Sequence, residues 1–200
     1  MENERSKSEI RRHLRQVIAA LSDAERHAKS VAACALVAAT PQFIAARTVM
    51  LFLSTPLEVD TAPLALRAWQ NGKTVVVPKV SWDARRMVPT EITSLSSDQL
   101  HTAHYGVREP INGMPVPVAD IDFAIVPGLG FTEDGRRIGR GMGFYDRFLG
   151  QADFLGVSCG LAFDEQIVPG IPMLDHDVPL SMLATDRGIR HVTGPKIARA

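Results

Sequence analysis

Cysteine is scarce: Cys34 and Cys159 are the two in 200 residues, too far apart for a C-x-x-C redox or metal motif. They read as small buried hydrophobes in a reducing compartment. Net charge is absent as well. With 22 basic residues against 22 acidic ones, no global field draws the chain to nucleic acid or to an anionic membrane. The nine-residue apolar run from Val31 to Ala39 is too short to cross a bilayer. It also follows a leader holding Glu2, Glu4, Glu9, Asp23 and Glu25, so it reads as a buried helix face and not as a signal-peptide core. No G-x-x-x-x-G-K-[ST] occurs, which excludes a P-loop. The expected setting is cytoplasmic, with neither nucleic acid nor membrane as a partner.

What the chain does have is concentrated between Val126 and Leu149, where six glycines, four arginines and an adjacent Tyr145-Asp146 pair fill one connection. Glycines let backbone N–H groups approach a ligand closely, and arginines bring rigid forks of charge. The run Phe123-Ala124-Ile125-Val126 ahead of the loop reads as a buried strand, and a helix is expected from about Gly143 to Gly150. A connection of this composition, between strand end and helix start, suits the holding of phosphate. It is not a dinucleotide fingerprint. Glu133 stands where Gly128-Leu129-Gly130 needs its third glycine, and Asp146 does the same for Gly141-Met142-Gly143.

At 200 residues, 46% apolar and 22% charged, the chain is expected to form one globular domain over 1–200. Ser6-Lys7-Ser8-Glu9 and Ser22-Asp23-Ala24-Glu25 are capping boxes. The first opens a helix with Ile10, Leu14, Val17, Ile18 and Leu21 at helical spacing, and the second a helix running to about Ala39. Strands are expected over Thr48–Leu53, Thr74–Val77 (stopped by Pro78), Gly156–Phe163 and Ser181–Thr185, the last closing the sheet. Met87–Ile92 reads as an edge strand because of Pro89. A helix capped by Asp60 or Thr61 ends at Gly72. Alternation of this kind predicts a mostly parallel sheet covered on both faces, with ligands beyond the carboxyl ends of the strands.

Other features leave two readings open. Glu58, just past a strand end, is either a helix-capping acid or an acceptor for an amino-heterocycle. Asp175-His176-Asp177 is a solvated acidic loop or a hard-cation site. Lys7 and Arg11 share a helix face at i, i+4, which matters only if that helix crosses the phosphate loop. His101-Thr102-Ala103-His104 lacks further zinc ligands and reads as loop histidines.

Val126 to Leu149 closely resembles the signature of the 5-formyltetrahydrofolate cyclo-ligases. The resemblance extends over nearly the whole chain: Lys7-x-x-x-Arg11, Leu21 to Arg26, Leu53-Ser54 with Glu58, Trp69 to Lys73, Arg108-Glu109-Pro110, Ala162 to Gln166 and His176-Asp177. It implies a three-layer α/β/α sandwich. It also implies ATP- and Mg2+-dependent conversion of 5-formyltetrahydrofolate to 5,10-methenyltetrahydrofolate, with release of ADP and phosphate, by a monomer. By the same resemblance, Lys7, Arg11, Arg137, Gly139, Arg140, Gly141, Gly143 and Tyr145 bind ATP. Leu53, Glu58, Met142 and Phe144 line the folate side, Asp146 and Asp177 hold magnesium, and Arg140 and Asp146 carry catalysis. Two departures stand out: Met142 where many relatives have Lys or Gly, and Phe144 where many have tyrosine. The alternatives are a non-catalytic folate or nucleotide binder on the same scaffold, and an unrelated activity on a sugar phosphate or acyl-CoA.

Overall fold

Both capping boxes form. In α1 (Lys7–Ala20) the Ser6 hydroxyl accepts from the Glu9 N–H at 3.3 Å, and the Glu9 carboxylate accepts from the Ser6 N–H at 2.8 Å. Ser22 and Glu25 repeat the exchange at the start of α2 (Asp23–Ala38). A short α3 (Pro41–Ala45), capped by Thr40 with proline at its first position, follows directly. The computed structural model describes residues 6–103 and 106–192, so His104 lies outside the described residues.

Next come β1 (Thr48–Met50), α4 (Ala62–Gln70), β2 (Thr74–Ser81), β3 (Arg86–Glu91), β4 (Leu100–Thr102), β5 (Arg108–Pro110) and β6 (Phe123–Val126). The chain closes with β7 (Gly130–Phe131), β8 (Arg137–Ile138), α5 (Phe144–Leu149), β9 (Val157–Leu161), β10 (Met182–Thr185) and β11 (Gly188–His191). The main sheet has seven strands in the order β11-β10-β9-β6-β1-β2-β3. The five central strands run parallel, and β3 and β11 pair antiparallel at the two edges. Two small hairpins, β4–β5 and β7–β8, stand apart from it.

Period-two alternation sends successive strand residues to opposite faces. Val49, Val75, Phe123, Ile125 and Cys159 pack with Ala33, Val37, Phe43 and Leu64 of the α2–α4 layer. Met50, Val76, Ala124, Val126 and Leu183 face the other way, onto Phe131, Phe148, Leu149 and Phe154. The result is a helix layer, a sheet and a second layer around α5. Burial pushes the thiols of Cys34 and Cys159 up to about 12, which keeps both inert.

Four sequence expectations need correction. The first strand ends at Met50, although Leu51 still donates to Val76 O. β2 does not stop at Pro78: beyond Val76 it pairs with β3 alone, and Pro78 sits opposite Pro89, where neither needs an N–H. Residues 181–185 do not close the sheet, because β11 pairs outside β10. His101 belongs to β4 and not to a loop.

Helix α1 lies across the β7–β8 hairpin, with Ile10 and Leu14 buried against Ile138 and Ile171. Gly130 makes this approach possible, since a Cβ there would meet Leu14 Cδ1 at 2.4 Å and Gln166 O at 3.2 Å. Gly130→Ala is therefore expected to cost about 1–3 kcal/mol by overpacking. It should also disturb the contacts that α1 makes through Lys7 and Arg11 with Asp177 and Gly139. Thermal melting checks the cost; an unchanged melting temperature would mean Leu14 repacks freely.

Candidate active site

The strand order places the carboxyl ends of β1, β6 and β9 side by side, and the glycine-rich connection covers them. That connection is not a simple loop. Its first half folds into the β7–β8 hairpin, pinned at its base by Gln166, whose amide donates to Gly128 O and Leu129 O at 2.9 and 3.1 Å. Its second half, 139–143, crosses to α5 and ends on Gly143 at φ +66°, a left-handed position that suits glycine.

Cations from two elements converge on this segment. Arg11 donates from α1 to Gly139 O at 2.9 Å, and the same α1 face brings Lys7 to within 2.6 Å of an Asp177 carboxylate oxygen. Arg12 and Arg15, on the same helix, point to solvent instead. Arg137 is almost wholly enclosed, its side chain 6% exposed. It donates to Asp146 at 2.9 Å and to Pro127 O at 3.3 Å, and its guanidinium lies 5.7 Å from the Tyr145 ring centroid. Asp177, which the sequence left between solvated acid and ligand, is drawn inward by Lys7 from 170 positions away.

Glu58 faces the same space from the segment after β1. One oxygen accepts from the Thr55 N–H and hydroxyl at 2.9 and 3.0 Å, and the other from Arg140 at 3.0 Å. Arg140 also reaches the Thr55 hydroxyl at 3.1 Å. Met142 is exposed on the loop crest, and its carbonyl is held by Arg147 at 2.7 Å. Phe144 meets Trp82 edge to face, with ring centroids 5.3 Å apart, and the Arg147 guanidinium lies 5.3 Å from the Phe144 ring centroid. Leu53 is the exception among the expected residues: its side chain lies in the core under α2 and α4. Thr55, Trp82 and Gln166 are site-forming residues that the sequence reading gave no individual role. Their contacts join positions far apart in the chain, which spacing does not reveal.

Two donors buried here have no acceptor among the described residues: Arg137 Nε and the Tyr145 hydroxyl. Burial, reinforced by the Glu58 charge and opposed by Arg137, holds the Tyr145 hydroxyl well above its ordinary pKa, so it remains a donor. Unmatched buried donors cost free energy, and an anion rich in acceptors relieves that cost. The acids tell a related story. Among the described residues no group of three or more His, Cys, Asp or Glu gathers to hold a metal. Asp146 and Asp177 instead each neutralise one cation, Arg137 and Lys7. Burial alone would raise the Asp177 carboxyl. The hydrogen bonds from Lys7 and the Leu174 N–H, with the charges of Lys7 and His176, outweigh it and hold the group below its ordinary range.

A lowered carboxyl pKa stabilises the fold above the unfolded value, near 4, and the benefit is lost as pH falls through the folded one. Lys7→Met is thus expected to lower the melting temperature at neutral pH, with the difference from the unaltered protein vanishing in acid. A difference that persists at about pH 2 would assign it to packing instead.

The sequence profile of the 5-formyltetrahydrofolate cyclo-ligase family matches residues 3–186. A mouse protein named 5-formyltetrahydrofolate cyclo-ligase is 30% identical over 182 residues, covering 86% of this chain and 90% of its own. Its Escherichia coli K12 namesake is 32% identical over 152 residues, covering 72% and 81%. Among solved structures, the Aquifex aeolicus 5,10-methenyltetrahydrofolate synthetase superposes with a TM-score of 0.80 at 29% identity, covering 97% of this chain and 96% of that one. No helix among the described residues is long and apolar enough to cross a membrane.

Proposed function

Since the chain belongs to the 5-formyltetrahydrofolate cyclo-ligase family, we propose that it is a ligase that closes 5-formyltetrahydrofolate to 5,10-methenyltetrahydrofolate at the expense of ATP. The observation that carries the ATP half of this reading is the pair of acceptorless buried donors, Arg137 Nε and Tyr145 Oη, beside Lys7, Arg11 and Arg140. Five donor groups around one glycine-rich crossing match a polyphosphate better than any neutral ligand. A single-domain, monomeric, cytoplasmic protein is the setting we propose for it.

The residues also fit a magnesium ion. Magnesium takes one or two carboxylates and fills its remaining positions with phosphate oxygens and water, and Asp146 and Asp177 supply two. Bound there, the ion would neutralise charge on the transferring phosphate. The cations now paired with these acids, Arg137 and Lys7, would then turn toward phosphate oxygens.

The chemistry follows from the substrate. An N5-formyl oxygen is a poor leaving group until it is phosphorylated. It attacks the γ-phosphorus, the bond to ADP breaks, and an iminium phosphate forms on N5. N10 then adds to the formyl carbon and loses its proton, the C–O bond breaks, and phosphate departs, able to carry that proton itself. The attacking oxygen holds no proton, so the first step needs no general base. What it needs is alignment and charge neutralisation. Arg140 is suited to the second task, because it bridges the phosphate loop to Glu58 on the folate side. Glu58, oriented by Thr55, would hold a folate N–H, with Met142 and Phe144 against the ring system.

The test mixes the protein with MgATP and 5-formyltetrahydrofolate and follows methenyl absorbance together with ADP release. Matched rates of both, lost without magnesium, are expected. Ligand-induced thermal stabilisation with neither product would favour the non-catalytic binder.

A further inference from the structure

Glu109 lies on β5, which folds beside the end of β2, and it is 6% exposed. Among the described residues its carboxylate accepts one hydrogen bond, a long one of 3.4 Å from the Val80 N–H. A carboxylate with so few partners among the described residues keeps acceptor sites to offer a ligand. It lines a hollow of about 460 Å³ together with Val80, Trp82, His101 and Thr102. Trp82 is the residue packed against Phe144 at the start of α5, so this hollow opens beside the glycine-rich crossing. Thr102 also lines a second hollow, of about 510 Å³, that contains Glu58 and Thr55. The two spaces are therefore neighbours across the β4–β5 hairpin.

We propose that Glu109 is a second ligand-recognising carboxylate, which accepts the paired N–H donors of a 2-amino-4-oxopyrimidine ring seated against Trp82. This rests on the folate reading above and extends it to a residue given no role there. The chemistry discriminates between the two acids. A carboxylate offers about four acceptor sites. Glu58 has committed three, to the Thr55 N–H, the Thr55 hydroxyl and Arg140. It has room for one further donor, not for a parallel pair. Among the described residues Glu109 has committed one site, to the Val80 N–H, which leaves an acceptor site on each oxygen for the amino group and the ring N3–H, spaced to meet a carboxylate edge on. A flat, partly apolar heterocycle also suits the indole of Trp82, and the N5 side of the same ring would then face the crossing that holds Arg140.

The deciding experiment measures steady-state kinetics of full-length wild type and Glu109→Gln, varying 5-formyltetrahydrofolate and ATP separately. It repeats both with a 2-desamino analogue of the folate. Glu109→Gln is expected to raise the folate KM on the order of 10- to 100-fold, the worth of a hydrogen bond to a charged group, and to leave the ATP KM unchanged. The wild type should discriminate against the analogue, and the variant should not. An active wild type matched by Glu109→Gln in folate KM and in discrimination would overturn the inference and leave the cyclo-ligase reading standing. An inactive wild type removes that reading, and this inference with it. If Glu109→Gln does not fold, a crystal structure of the wild type with 5-formyltetrahydrofolate decides. The pyrimidine edge within about 3.2 Å of Glu109 supports the assignment, and the same edge on any other residue overturns it.

Discussion

Asp146→Asn is expected to leave the protein folded and to lower turnover at least about 100-fold, since groups that merely support a metal site are already worth 10- to 100-fold. The substitution preserves volume and an acceptor for Arg137, which now donates to Asp146 at 2.9 Å. The stability cost should stay near 1.5 kcal/mol, the lower worth of a charged hydrogen bond. The catalytic cost is larger because a neutral amide no longer balances divalent charge. Asp146 is the acid in the first turn of α5, the helix that opens at Gly143. Methenyl formation at several magnesium concentrations is the measurement. Activity within twofold of wild type, at all of them, would remove Asp146 from the metal site.

Arg137→Ala should weaken ATP binding by about 1.5–3 kcal/mol, roughly 10- to 150-fold, and should also lower stability. Both effects have one origin. The Arg137 side chain is 6% exposed, and removing it strips partners from Asp146 and from the Pro127 carbonyl. Its Nε, with no acceptor among the described residues, is the donor most directly available to phosphate. Arg137→Lys separates the two effects, because lysine retains the charge but loses the planar fork. It should recover much of the melting temperature and little of the ATP affinity. Nucleotide titration by calorimetry checks this, and an Arg137→Ala protein with wild-type ATP affinity would mean the guanidinium serves Asp146 alone.

Much of this architecture was legible because local signals and long-range packing agree. The capping boxes at Ser6 and Ser22 open helices at the residues they mark, since their hydrogen bonds close within four positions. Phe123 to Val126 is buried throughout, as its unbroken apolar run implied. Gly143 and Gly150 bound α5. Hidden from the sequence were elements too short to carry a period: β7 and β8 are two residues each, and β4 and β5 three. Pro78 misled for a related reason, because whether a missing N–H interrupts a strand depends on the neighbour beside it.

Local chemistry along the chain thus determined the helices, the central strands and a phosphate-suited connection, because each is encoded within a few residues of itself. Only the tertiary structure decided which charges meet. Lys7 finds Asp177 across 170 positions, Arg11 finds Gly139 across 128, and Arg140 finds Glu58 across 82. It also decided that Leu53 is core and that Glu109 is enclosed at the edge of a hollow. Spacing along a chain fixes neighbours one or two turns away. The convergence of distant side chains is fixed by strand order and by the close approach of α1 at Gly130, which no local pattern records.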